Sequence, residues 1–197
     1  MNNKILMLLG TTLALAACGK HDSTNAAADT GNSADTNLTA TDNGAMSANM
    51  AATAPSPLTA QGFVNAAAAS DRFEIESSRL AAGQASSSAV KKFATNMISA
   101  HTQSTAKLKS IVGGLSPSIT PDDTLTTDQQ AALDSLKGQD GATFDSAYAS
   151  AQVDAHQKTL NALKGYAASG DNAQLKTFAT GMIPTVTAHL NMAKGLK

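Results

Sequence analysis

The sequence has one cysteine, no tryptophan and only 4% aromatic residues. A single cysteine excludes disulfides within the chain and metal sites built from several cysteines. Scarce aromatic side chains disfavour base stacking and large aromatic ligand cages. The formal net charge is −1, and because phosphate binding requires clustered cations, we expect no nucleic-acid partner.

Motifs of several enzyme classes are also missing. The chain has no Gly-x-Ser-x-Gly sequence, no glycine-rich phosphate-binding loop, and no cysteine besides Cys18 to act as a nucleophile. No segment alternates polar and apolar residues over a useful length, so the sequence predicts no β-sheet. The abundant alanine favours close-packed helices, and the sequence therefore indicates an all-α protein.

The first eighteen residues have the features of an export signal. Lys4 supplies a positive charge, and residues 5–17 form an apolar run that is shorter than the roughly 20 residues of a membrane-spanning helix. The run ends in Leu15-Ala16-Ala17-Cys18, which resembles the bacterial lipobox. We therefore predict a lipoprotein signal peptide over residues 1–17 and acylation of Cys18.

Cys18 is the only cysteine and stands where lipidation requires it, which favours this interpretation over two alternatives. An ordinary signal peptide cut near Ala17 would give a soluble periplasmic protein. A buried cytoplasmic helix would need a partner stripe, and the sequence offers none. Gly19, in place of aspartate, resembles the outer-membrane sorting pattern, so we expect an exported outer-membrane lipoprotein that faces the periplasm and contacts the membrane through its acyl chains.

Composition divides the remaining chain into two parts. Residues 19–57 contain no Phe, Tyr, Ile or Val, so they cannot bury enough apolar surface to offset the conformational entropy of folding. We predict that residues 18–57 comprise the lipidated cysteine and a disordered tether. Residues 58–197 form the predicted folded domain.

Helical periodicity in the domain predicts four long helices and one short helix. The long helices are expected at 59–84, 89–112, 142–168 and from 172 onward, and the short helix at 126–136. Thr59 and Asp171 are predicted N-caps, the latter with Gln174 at the third helical position, and Thr126 to Gln129 resemble a capping box. Pro184 lies inside the last helix, where it removes a hydrogen bond and is expected to kink the helix.

The connections suggest two helical hairpins. The turns between the first two and the last two long helices are short, whereas the middle connection spans about 29 residues and contains the short helix. Such a connection is long enough to cross the full height of a bundle. We therefore predict a ferritin-like four-helix bundle with a long central connection, and an up-down-up-down bundle is the alternative.

Each long helix places one metal-competent side chain on its apolar stripe. Projection at about 100° per residue puts Glu74, His101, His156 and His189 on these stripes. Because a helix rises by about 1.5 Å per residue, the first three lie near mid-height and His189 lies nearer one end of its helix. Glu76 faces nearly the opposite way from Glu74.

These residues also carry a family resemblance. Four parts of the domain resemble the bacterial domain of unknown function 4142, over roughly residues 60–194. They are the segment from Phe73 to Ala81, Met97-Ile98 with His101-Thr102, Ala147-Tyr148 with His156, and Pro184 with His189-Leu190. The resemblance implies a ferritin-like fold and an exported protein, often a lipoprotein, of unestablished activity. It also implies that the family's polar core corresponds to Glu74, His101, His156 and His189. Many members carry an acid immediately before the second-helix histidine, where this chain has Ala100.

The donor set decides which metal chemistry the chain can support. A ferritin-type di-iron centre uses four carboxylates and two Glu-x-x-His pairs, but this chain has two glutamates and no glutamate three residues before a histidine. A di-iron centre is therefore excluded. A single zinc, copper or iron ion held by one glutamate and three histidines is chemically sensible.

Two function classes follow from this set. The first is a binding protein, for one metal ion or for a partner in the cell envelope, and a metal-free hydrogen-bonded core fits the same residues. The second is a metal-dependent enzyme with redox or hydrolytic activity, which we regard as the weaker interpretation. No catalytic residue is assigned.

The anchor prediction can be tested at Cys18. Cys18→Ser should abolish acylation and release the protein from membrane fractions, because the substituted residue cannot be acylated at sulfur. Fractionation and mass spectrometry of both proteins provide the measurement. A wild-type protein without lipid, and a variant that still sediments with membranes, would show that the lipobox interpretation is wrong.

Overall fold

The computed structural model describes residues 59–196, which form an all-helical domain. Four long helices and one short helix make up this part of the chain, and no named strand lies within it. The helices are α1 (Ala60–Gln84), α2 (Ser88–Gly113), α3 (Thr127–Lys137), α4 (Gly141–Ser169) and α5 (Ala173–Lys194). The predicted helices are thus confirmed, and their predicted ends lie next to the observed ones.

Side-chain caps explain where several helices begin. The Thr59 hydroxyl accepts a hydrogen bond from the Gly62 amide and caps α1, as the sequence predicts. Thr126 and Gln129 form the predicted capping box at the start of α3, each side chain accepting from the other residue's backbone amide. These bonds satisfy amides that have no partner within the helix.

The start of α5 differs from the prediction. Asn172, not Asp171, is the N-cap, because its side chain accepts from the amides of Gln174 and Leu175. Gln174 is therefore the second helical residue and not the third. Asp171 instead accepts hydrogen bonds from the Ala60 amide and the Tyr166 hydroxyl. Helix α5 continues through Pro184 to Lys194.

Contacts at the helix ends establish the connectivity. Ala85, which follows α1, pairs with Gly141 at the start of α4, so α2 and α4 begin at the same end of the bundle. They therefore run in the same direction, and the chain between them must cross the full height of the bundle. This confirms the predicted crossover connection and rules out the up-down-up-down alternative.

Helix α3 lies on this crossover. It packs against α1 and α4, and the Gln84 side chain at the end of α1 donates to the carbonyls of Leu136, Lys137 and Gln139. At the opposite end of α1, the Gln61 side chain donates to the Thr120 carbonyl. The connection is therefore attached to α1 at both ends.

The interior contains two apolar clusters. One includes Phe63, Leu108, Tyr166 and Phe178, and the other includes Phe93, Met97, Phe144 and Tyr148. Between them, along each long helix, lie buried polar residues that belong to neither cluster: Asp71, Glu74, Ser77, Ser78, His101, Ser104, Gln152, His156 and His189. The bundle core is thus apolar toward both ends and polar in the middle.

The predicted signal peptide (1–17), Cys18 and tether (18–57) lie outside the described residues. Within residues 59–196, no helix combines the length and the hydropathy required to cross a lipid bilayer.

Gly170 between α4 and α5 tests the packing of the second hairpin. A Cβ built there would lie 2.5 Å from the Tyr166 ring and 2.6 Å from its carbonyl oxygen, and that ring stacks on Phe63 at 4.0 Å between centroids. Because the Tyr166 ring is fully buried and stacked on Phe63, Gly170→Ala should lower the free energy of unfolding by roughly 1–3 kcal/mol, measured by denaturant titration.

Gly165 provides the matched control for this substitution. It lies inside α4 with nothing within 4 Å of a built Cβ, so Gly165→Ala should stabilise the protein by about 0.5–1 kcal/mol through helix propensity. Equal effects of the two substitutions would contradict the described packing at Gly170.

Candidate metal centre

Three histidines from three helices meet in the polar middle of the bundle. Their ring centroids lie 5.7 Å (His101 to His156), 5.8 Å (His101 to His189) and 5.5 Å (His156 to His189) apart. One ring nitrogen from each lies within 4.8 Å of one from each of the others. All three are buried, with exposed fractions of 5%, 1% and 9%, respectively. The structure thus brings together three of the four residues predicted from the sequence.

The antiparallel hairpins explain why the three rings share one level. His101 and His156 each lie near the middle of their helices, α2 and α4, which begin at the same end of the bundle. His189 lies in the second half of α5, which enters from the other end. Counted from the turn that joins α4 to α5, His156 and His189 stand at similar distances along the two helices. Because a helix rises by a constant amount per residue, all three rings reach mid-height.

His156 is oriented by its own helix. Its Nδ1 lies 2.8 Å from the Gln152 carbonyl oxygen, and since a carbonyl only accepts, Nδ1 carries the proton and Nε2 carries a lone pair. Burial lowers the pKa of His156 to about 3, with smaller contributions from the nearby His101 and His189. The ring is therefore neutral near pH 7 and available as a ligand.

His101 is oriented by a carboxylate. Its Nδ1 lies 2.8 Å from Asp71 Oδ1, and both side chains are buried. Burial alone would lower the pKa of His101, but the hydrogen bond to Asp71 and the charges of Glu74 and Asp71 raise it above 6.5. With Nδ1 donating to Asp71, the Nε2 atom is the nitrogen left for another partner.

His189 is the most exposed of the three. Burial lowers the pKa of its ring to about 4, with a further contribution from the charge of His101. Its buried Nδ1 atom has no hydrogen-bond partner among residues 59–196.

The unpaired ring nitrogens form the distinctive feature of the cluster. Within the described part of the chain, the buried atoms His101 Nε2, His156 Nε2 and His189 Nδ1 all lack a hydrogen-bond partner. A buried polar atom left unpaired costs about 1–3 kcal/mol, and such atoms are rare in folded proteins. Three of them on adjacent rings form a group that could hold a metal ion.

Glu74 is buried beside this cluster but outside the group of three. Its Oε1 lies 3.5 Å from His156 Nδ1, on the ring edge that faces the Gln152 carbonyl. Neither carboxylate oxygen has a hydrogen-bond partner in residues 59–196. Burial raises the pKa of Glu74 to about 7, opposed by the charge of His101 and the side chain of Gln152. Coordination by Glu74 stays a prediction.

Asp71 is the residue that the sequence analysis missed. It lies three residues before Glu74, one helical turn away on nearly the same face of α1, so a wider polar stripe would have included it. Its Oδ2 also accepts from the Thr105 hydroxyl at 3.1 Å. The side chains of His101 and Thr105, both on α2, thus hold the Asp71 carboxylate.

Two other acidic residues of α1 and α4 do not belong to the group of three histidines. Glu76 is part-exposed and pairs with Arg72 at 2.7 Å, as expected for an outward-facing residue. Asp154 is exposed on α4. Cys18 lies outside the described residues.

Comparison with protein families identifies the chain. A family described as a domain of unknown function (DUF4142) matches residues 45–196, which is most of the sequence. The chain therefore belongs to this family, and the resemblance inferred from its motifs is confirmed. No curated protein matches the sequence significantly.

Two solved structures share the fold. CopM in the Cu(II)-bound form aligns with a TM-score of 0.59 and 16% sequence identity, covering 70% of this chain and 94% of that chain. CopM in the Cu(I)-bound form aligns with a TM-score of 0.57 and 15% identity, covering 68% and 92%. Identity at this level shows the similarity of the folds alone.

The raised pKa of Glu74 predicts a specific pH dependence in the presence of chelator. The pKa of Glu74 rises from 4.5 in the unfolded chain to about 7 in the folded protein. Between these two pH values the folded protein keeps the Glu74 proton and the unfolded chain releases it, so the wild-type free energy of unfolding falls as the pH rises. Glu74→Gln lacks this titration. Its stability relative to wild type should rise by roughly 3 kcal/mol between pH 4.5 and 8, measured by denaturant titration at each pH.

Glu76→Gln provides the control, because Glu76 is part-exposed and pairs with Arg72 at the surface. Its stability difference from wild type should change little over the same pH range. A pH-independent difference for Glu74→Gln would show that the Glu74 carboxyl titrates normally in the folded protein.

Proposed function

We propose that this protein binds one metal ion in the core of its bundle through His101, His156 and His189. The convergence of three buried ring nitrogens that have no partner in the described residues carries the proposal. A bound cation would accept all three lone pairs at once and remove the cost of leaving them unpaired.

The geometry and chemistry of the donors support a transition metal. Three nitrogens bound to one ion at about 2.0–2.1 Å lie about 3.3–3.5 Å apart, and the histidine nitrogens already fall within 4.8 Å of one another, so small ring rotations suffice. Imidazole suits zinc, copper and iron, whereas magnesium and calcium prefer oxygen ligands. The low pKa values of His156 and His189 keep both rings neutral, as coordination requires.

Copper is the metal that we propose first, with zinc and iron as alternatives. Divalent copper binds most nitrogen sites more tightly than the other first-row divalent metals. The CopM structures with the same fold hold copper in the Cu(II) and Cu(I) forms. Two glutamates in the whole sequence cannot supply a ferritin-type di-iron centre.

We propose binding and not catalysis as the role of the site. Three nitrogen ligands leave a coordination position open, which a metal-dependent enzyme would use, but the site is buried between two apolar clusters. The competing interpretation is a metal-free structural or partner-binding module of the cell envelope, with the Asp71–His101 pair as its polar core.

The cellular location is a proposal that rests on the sequence. The lipobox-like Leu15-Ala16-Ala17-Cys18 supports a protein anchored by acyl chains, and Gly19 supports an outer-membrane destination facing the periplasm. A soluble periplasmic protein, released after an ordinary signal peptide, is the alternative. In either location the domain would meet metal ions outside the cytoplasm.

Metal titration of the purified protein tests the proposal. The wild type should bind one equivalent of Cu(II), and removing the metal with chelator should lower its melting temperature, because an ion bound to the native state alone stabilises that state. His156→Asn should reduce the affinity at least tenfold by removing one of three ligands. Calorimetry, elemental analysis and thermal melts provide the measurements.

His21→Asn is the matched control, because His21 is the one histidine that the sequence places in the predicted tether. This substitution should leave the stoichiometry and the effect of chelator unchanged. A wild-type protein that holds no stoichiometric metal after reconstitution, and melts identically with and without chelator, would eliminate the proposed function.

A further inference from the structure

A buried carboxylate stands behind one of the three histidines. Asp71 is 5% exposed, and its two oxygens have different partners: Oδ1 accepts from His101 Nδ1 at 2.8 Å, and Oδ2 accepts from the Thr105 hydroxyl at 3.1 Å. The Thr105 hydroxyl also lies 2.9 Å from the His101 carbonyl oxygen. The carboxylate is thus fixed in place from α2.

We propose that Asp71 is a positioning residue of the metal site, and that its negative charge makes the site prefer a divalent ion over a monovalent one. This inference rests on the proposed function, since it assigns a role to Asp71 at the same site.

The positioning role follows from the way each ring is held. His156 donates to a backbone carbonyl of its own helix, and the buried Nδ1 of His189 has no hydrogen-bond partner within residues 59–196. His101 is the ring that is hydrogen-bonded to a carboxylate, whereas the Glu74 carboxylate lies 3.5 Å from His156 Nδ1. The hydrogen bond from Nδ1 to Asp71 fixes the tautomer and limits rotation of the ring, which leaves Nε2 as the nitrogen available to an ion.

The charge preference follows from burial. Among the described residues no lysine or arginine side chain is buried, so the charge of Asp71 is balanced by a charged imidazole or by a bound cation. The three imidazole ligands are neutral and contribute no charge of their own. Because the attraction between ion and carboxylate scales with the charge of the ion, Asp71 stabilises Cu(II) or Zn(II) more than Cu(I).

Two substitutions separate position from charge. Asp71→Asn preserves the shape and an oxygen that can accept from His101 Nδ1, but it removes the charge. Asp71→Ala removes both the charge and the hydrogen bond. Asp154→Asn is the matched control, since Asp154 is an exposed carboxylate two residues from His156 and away from the cluster.

The measurements are the dissociation constants for Cu(II), Zn(II) and Cu(I), and the Cu(II)/Cu(I) midpoint potential of the loaded protein. In Asp71→Asn, affinity for the two divalent ions should fall about 10–100-fold, while Cu(I) affinity should fall only about 3–10-fold, because half the charge gives half the change in free energy. Each tenfold loss confined to Cu(II) raises the midpoint potential by about 59 mV. Asp71→Ala should lower the affinity for all three ions, and Asp154→Asn should match wild type.

The outcomes distinguish this inference from the proposed function. A wild type that binds no metal would overturn the proposed function and this inference with it. This inference alone would be overturned if the wild type binds metal and Asp71→Asn leaves the affinities unchanged. The same holds if Asp71→Asn lowers the affinities for Cu(II) and Cu(I) by equal factors.

Asp71→Glu keeps the test available should Asp71→Asn not fold in chelator. It retains the negative charge while moving the carboxylate, so affinities should fall for all ions and the ratio of Cu(II) to Cu(I) affinity should stay within about threefold of wild type. A tenfold or larger change in that ratio would show that the charge of residue 71 does not set the preference.

Discussion

A buried imidazole nitrogen needs a partner, and this domain brings three of them to one place without supplying partners from residues 59–196. The cost of burying unpaired polar atoms is large compared with the net stability of a small domain. Hydrogen bonds reduce that cost at the Nδ1 atoms of two of the rings. The Gln152 carbonyl accepts from His156 and Asp71 accepts from His101, whereas the two buried Glu74 oxygens also lack partners within residues 59–196.

The crossover connection gives this layer its geometry. Each hairpin contributes a pair of groups: α1 and α2 supply the Asp71–His101 pair, and α4 and α5 supply His156 and His189. Because α2 and α4 run in the same direction, residues at similar distances from their starts reach the same level. The apolar clusters above and below then exclude water, which strengthens each charge interaction between them.

The stripes of apolar residues were sufficient to predict the helices, the crossover fold and three histidines that meet. They identified which residues face inward, because helical periodicity depends on sequence spacing alone. They did not identify Asp71 or the orientation of Glu74. Those depend on side-chain rotamers and on the neighbouring helix: Thr105 of α2 fixes Asp71, and Glu74 lies by the Nδ1 edge of His156. Likewise, Asp171 was predicted as a cap but is held instead by Ala60 and Tyr166 from other parts of the fold.

The Asp71–His101 pair also bears on how one core would accommodate both the metal-free protein and the metal-bound form that we propose. Although burial lowers the pKa of His101, the hydrogen bond to Asp71 and the neighbouring carboxylate charges raise it, which favours a charged ring beside Asp71 when no metal is present. A metal ion would bind at Nε2 of this ring and displace its proton there. A positive charge then lies near the Asp71 carboxylate in both states. Under the proposed function, this bundle would therefore fold first and bind metal afterwards, unlike a small zinc finger, whose fold depends on its ion.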